Sequence, residues 1–155
     1  MSSPSTLYTQ RPALAAALLL ATCAGWLGAV PAQAADLTVV VTNISANAGN
    51  VMVGLFDSAA AFPKTVSKGV MAAAGGRDAA GRVTLVLRDL TPGTYAVSAY
   101  HDLDANGQLN NNLMGLPTEP YGFSNNARGS FGPPSFQAAS IALPEQGLSI
   151  ELKVQ

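Results

Sequence analysis

From Asp36 onward the apolar residues recur at every second position in short runs, each closed by glycine, proline, asparagine or aspartate. Side chains alternate across a strand with period two but return to one helix face with period 3.6, so this pattern commits the chain to strands with one buried face. Leu37, Val39 and Val41 alternate with Thr38, Val40 and Thr42 in a first strand, Val51 to Phe56 gives a second, and Val70 to Ala73 a short edge strand. Val83, Leu85 and Leu87 then face inward opposite Arg82, Thr84 and Arg88, and Tyr95, Val97 and Ala99 resume the alternation toward His101.

Asp89-Leu90-Thr91-Pro92-Gly93 reads as a tight turn, with proline presetting φ and glycine the permissive position, and predicts that these two strands pair as a hairpin. A second hairpin is expected between Ala138–Leu143 and Leu148–Val154, around Pro144-Glu145-Gln146-Gly147. In its last strand Leu148, Ile150, Leu152 and Val154 should face in. About six or seven strands without a helical period predict an all-β chain: a single antiparallel β-sandwich, immunoglobulin-like or prealbumin-like, with one long irregular loop. Tyr95 stands where a tyrosine pins a corner in immunoglobulin-like sandwiches; the alternative is a core aromatic with its hydroxyl at the rim.

Residues 1–34 carry a different pattern. Arg11 precedes an apolar run from Ala13 to Val30, and Pro31-Ala32-Gln33-Ala34 ends in the small residues of an A-x-A cleavage site. This is the layout of a signal peptide, expected to be removed before Ala35, and residues 35–155 would then form the β-sandwich domain. A retained anchor is the alternative, but the run is at the short end for spanning a bilayer and has no basic stop-transfer cluster. The predicted location is periplasmic or secreted, with no membrane span after signal cleavage.

The one cysteine, Cys23, lies in the leader, so the domain has no disulfide, thiolate metal site or cysteine nucleophile. It holds nine acidic and seven basic residues, a formal charge of −2, and shows no basic patch, which argues against nucleic acid as a partner.

The segment with the most specific chemistry is Asp102-Leu103-Asp104-Ala105-Asn106-Gly107-Gln108-Leu109-Asn110, which follows the spacing of a calcium loop. Calcium takes six to eight oxygens, and side chains at alternate positions converge on one ion only if the chain turns sharply, as Gly107 permits. Asp102, Asp104 and Asn106 would supply side-chain oxygens, Gln108 its backbone carbonyl, and Asn110 a ligand directly or through water. Leu113 stands at the twelfth position, where a bidentate Glu belongs, and the nearest acid downstream, Glu119, would have to fold back to replace it. The competing reading is a set of Asx turns beside a glycine.

From Met114 to Phe136 no period is visible, and a loop of this length in a small domain is often functional. Tyr121, Phe123, Asn125, Asn126 and Arg128 are its candidate ligand-binding residues, aromatics for apolar contact and asparagines for directional hydrogen bonds. Alternatively Phe123 and Phe131 plug an open end of the core. His101, the only histidine, and Glu119 are weak catalytic candidates: His101 adjoins Asp102, but strand neighbours point to opposite faces.

Leu90-x-Pro92-Gly93-x-Tyr95-Ala96, His101-Asp102, Asn106-Gly107-x-Leu109, Gly115-x-Pro117-x-Glu119, Tyr121-Gly122-Phe123-Ser124-Asn125-Asn126 and Phe131-Gly132-x-Pro134-x-Phe136 together resemble an exported bacterial family, domain of unknown function 2141. The resemblance implies a secreted or periplasmic β-sandwich and brings no activity, substrate or cofactor with it. Separately, the Asp102 loop resembles the calcium loops of cell-surface B-type repeats, a parallel that carries Asp102, Asp104 and Asn106. The expected function is an exported, non-catalytic binding or accessory module of the bacterial envelope, with calcium as its expected ion and an envelope or extracellular ligand of unknown identity. The alternatives are a small periplasmic hydrolase acting on envelope carbohydrate or peptide, and a purely structural envelope protein.

Overall fold

Strands form wherever the alternation places them, and the computed structural model describes them within residues 34–155. The predicted leader up to Gln33, with Cys23, lies outside the described residues. The strands are β1 (Ala35–Thr42), β2 (Asn50–Phe56), β3 (Lys68–Ala73), β4 (Val83–Leu90), β5 (Gly93–Asp102), β6 (Tyr121–Phe123), β7 (Ser140–Leu143) and β8 (Leu148–Lys153). One short helix, α1 (Phe136–Ala139), begins at Ser135, whose side chain accepts from Ala138 N.

Two sheets result. In the first, β1 lies between β4, antiparallel to it, and β8, parallel to it. In the second the order is β3-β2-β5, and the far edge of β5 is shared by β7 at Gly93–Ala96 and β6 at Ser98–Tyr100. Leu37, Val39, Val41, Leu85, Leu87 and Leu152 from one sheet bury against Val51, Val53, Leu55, Val97 and Ala99 from the other. Each such side chain taken out of water contributes about 1.5–3 kcal/mol, so this interface is the main stabilising feature of a domain without cross-links.

Neither predicted hairpin forms. Leu90 pairs with Ala35 whereas Gly93 pairs with Leu143, so the Asp89–Gly93 turn carries the chain from one sheet to the other. Asp89 adopts φ 57°, and the Tyr95 hydroxyl donates to Thr91 O at 2.7 Å, occupying a carbonyl of the turn itself. Tyr95 is therefore a corner tyrosine whose ring also packs on the core, and the two alternatives for it hold together. The Pro144–Gly147 turn closes with Gly147 N donating to Pro144 O, yet Leu143 pairs with Gly93 and Leu148 with Leu37. Alternation reveals which face of a strand is buried and not which strand lies beside it.

The long loop is also more ordered than expected. Tyr121–Phe123 is an eighth strand, a 3-10 turn follows at Ser124–Asn126, and α1 occupies its end. A second, aromatic core lies here, made of Phe56, Phe62, Phe123, Ala96 and Ala139 with Phe136 packed against it. Phe62 meets Phe56 edge-on at 5.1 Å and Phe123 at 5.5 Å between ring centroids. Phe123 thus plugs as expected. Phe131 does not: it is fully exposed, because the Gly129–Gly132 segment carries it outward from this core.

Candidate functional site

Asp102 ends β5, and its register opposite Asn50 puts its side chain on the outer face of the second sheet, away from the main core. It is nevertheless completely buried, because residues 103–120 fold back over it. Its carboxylate accepts from Asn106 N at 3.1 Å and Gly107 N at 2.9 Å, which shapes the predicted turn. Ala105 and Gly107 take left-handed conformations at φ 57° and 77°. The Asx-turn reading of this loop is correct as far as the backbone goes.

Glu119 does fold back. It is buried, and its two oxygens accept from Leu103 N at 2.8 Å and Asn110 N at 3.0 Å, tying both ends of the loop together. Asp102, Asp104 and Glu119 each place one carboxylate oxygen so that all three lie within 4.8 Å of one another. Asp104 is exposed and accepts from the side-chain amides of Asn106 at 3.0 Å and Asn110 at 2.9 Å. Chiefly through the Asn110 bond, its carboxyl is held below the ordinary value of 3.8. Gln108 N donates to Asn106 Oδ1 at 2.7 Å. The cluster is all oxygen, a donor set suited to a hard cation, and of the five predicted ligand residues Asp102 and Asp104 belong to it, Asn106 and Asn110 bond to Asp104, and Gln108 is joined to Asn106.

Tyr100, two residues before Asp102 and on the same face, donates from its hydroxyl to Gly107 O at 3.1 Å. Burial raises its ionisation above the ordinary 10.0, and the negative charges of Asp102 and Glu119 raise it further. His101 points the opposite way, into the space between the sheets, opposite Val51. It is wholly buried, with Nε2 2.9 Å from Ala48 O and Nδ1 without a partner. The carboxylate of Asp102 thus lies across the sheet from the imidazole, and a proton-transfer pair between them has no geometric basis.

The candidate ligand-loop residues separate into two kinds. Tyr121 and Phe123 line a cleft of about 790 Å³ over the outer face of the second sheet. Asn125 Nδ2 instead donates to Ser140 O at 2.8 Å and Ala138 O at 3.2 Å, and Asn126 Oδ1 accepts from Lys153 N at 3.1 Å. Both asparagines sit at positive φ, 58° and 49°, a conformation asparagine tolerates better than most residues. Before them, Ser124 Oγ accepts from Val97 N at 2.9 Å and donates to Ala139 O. Gly122 has no room for a side chain, since a Cβ would stand 2.2 Å from Lys153 O. The Gly122–Asn126 block therefore joins β5, α1, β7 and β8. Arg128 is exposed beside a small hollow of about 60 Å³ that Asn126 and Lys153 also line.

Tyr100 is central to the site and carried no motif, whereas Glu119 was legible as an acid that would have to fold back, although it stands 16 positions from its partner Leu103. Residues 39–151 match the model of a family described as an uncharacterized protein conserved in bacteria, domain of unknown function 2141. No curated protein and no solved structure matches the chain.

Proposed function

The chain belongs to the bacterial family of domain of unknown function 2141, and we propose that this member is an exported, non-catalytic binding or accessory module of the envelope, stiffened by calcium at the Asp102 loop. The observation that carries this reading is the return of Glu119 to Asp102 and Asp104, because it supplies the carboxylate missing at the twelfth loop position. Three converging carboxylates repel one another, and the amide hydrogens of Asn106 and Asn110 now offset that repulsion at Asp104. Rotating the Asn110 amide and releasing the Asn106 oxygen from Gln108 N would offer two further oxygens beside Asp104, and a Gln108 carbonyl turned inward would bring the donors to the number calcium takes. A leader with an A-x-A site supports export, where such an ion is plentiful.

Thermal melting in a calcium titration tests this, since an ion bound only by the folded state raises the midpoint. A rise is expected at about millimolar calcium, the range of extracellular modules. It should be lost in Glu119→Gln. An unchanged midpoint in the native protein would remove calcium from the proposal.

A further inference from the structure

We propose that the cleft over the outer face of β5 and β6 binds an uncharged hydrophobic small molecule. This rests on the reading of the chain as a binding module, but not on the cation. The floor is laid by Ser98, Tyr100, Tyr121 and Phe123. Register explains why the floor is there: Tyr121 pairs with Tyr100 and Phe123 with Ser98, so all four side chains share the outer face of the sheet. Pro63 and Val66 wall one side, and the segment Met114–Pro117 and Phe131 form other lips.

Size and chemistry select the occupant. A volume of about 790 Å³ falls in the range of small-molecule sites, which are apolar with a few placed polar groups. Among the described residues no charged side chain lines the cleft, and the polar side chains there are Ser98, Tyr100, Tyr121 and Ser130. Meanwhile Met114 is 80%, Leu116 56% and Phe131 106% exposed, so the lining of one cleft carries apolar surface that solvent alone does not favour. Among the described lining residues no cationic side chain could pair with an anionic head group, so its charge would be desolvated without compensation, while a hydroxyl or carbonyl meets the hydroxyls of Ser98, Tyr121 and Ser130. An acyl chain or fused-ring body ending in a neutral oxygen group fits these terms; a fatty acid anion does not.

The test uses the purified protein and the neutral dye Nile red, with a chelator present so that cation binding plays no part. One saturable site is expected, from which a long-chain alcohol displaces the dye at least tenfold more effectively than the carboxylate of equal chain length. Leu116→Asp and Met114→Asp, both on exposed lips, should weaken dye binding at least tenfold with the melting midpoint unchanged. Absence of saturable binding, or variants that bind as well as the native chain, would overturn the proposal. Equal displacement by the carboxylate would overturn the neutral ligand class. A concentration-dependent dimer abolished by the lip variants, with no dye bound by the monomer, would identify the cleft as an interface between copies instead. A calcium-dependent midpoint without dye binding would leave the cation reading standing and refute this one alone.

Discussion

The backbone of Gly49 runs directly against the carbonyl of Asp102: a β-carbon on Gly49 would stand 1.9 Å from Asp102 O. Gly49 also holds φ 75°, so the β1–β2 loop is fitted to the end of β5 by the absence of a side chain. Gly107 has a similar φ of 77° but nothing within 4 Å of its missing β-carbon. Gly107→Ala should therefore cost only the left-handed strain, about 1–2 kcal/mol. Gly49→Ala should cost at least about 1 kcal/mol more, from overpacking. Urea unfolding of the two variants compares them directly. Equal losses would mean that this close approach is not a constraint on the fold.

Removing the Ser124 hydroxyl leaves Val97 N without its acceptor inside the domain and Ala139 O without a donor. Ser124→Ala is expected to lower stability by about 1–3 kcal/mol, the cost of unsatisfied buried groups, even though it removes one oxygen atom. Hydrogen exchange should quicken at Val97 first. A variant as stable as the native chain would show that this serine is dispensable as a staple.

Asp78 accepts from Arg82 Nε at 2.8 Å and from Ala80 N and Arg82 N, closing a surface turn. The Arg82 side chain is the main reason its carboxyl lies below 3.8. Because the folded value is the lower one, its contribution to stability is present above pH 3.8 and is lost as the pH falls through the folded value. NMR titration should find Asp78 below 3.8 in the native protein and nearer to it in Arg82→Gln. An identical midpoint in both would assign the shift to the backbone bonds alone.

Tyr100 gives the opposite sign. Its folded value lies above 10.0, so the neutral form is favoured, and stability from this residue is present below pH 10.0 and lost as the pH rises through the folded value. Glu119→Gln removes one of the two charges and should bring the midpoint down without reaching 10.0, since burial is the larger cause. Absorbance titration of the phenolate reads this directly. A fall all the way to 10.0 would show that charge, not burial, dominates.

The inward faces of β1, β4, β5 and β8 were legible because alternation is a local property: Leu37, Val83, Val97 and Leu152 are buried as the pattern requires. Sheet membership was not, because Leu90 and Gly93 are three residues apart in sequence yet choose partners as distant as Ala35 and Leu143. The same limit applies at the site. Asp102 to Asn110 was visible as a loop with ligand spacing, whereas the arrival of Glu119 depends on how residues 103–120 return to the sheet. Asn125 and Asn126 have the composition of a recognition loop, but a side-chain amide binds a neighbouring strand's backbone by the same hydrogen bonds it would offer a ligand. Met114, Leu116 and Phe131 carry no period at all, and only the fold assembles them into the lining of one cleft.

The parallel pairing of β1 with β8 places the domain's first strand beside its last, and Asn43 donates to Val154 O across 111 positions. Loop closure over such a distance costs chain entropy before any contact repays it. A nascent chain stopped before Leu148 would leave one edge of β1 open and deprive both Gly122 and Asn126 of the strand they are fitted to. Closure of the first sheet therefore waits for Leu148–Lys153, and until that strand is in place the contacts that hold Gly122 and Asn126 have nothing to close on.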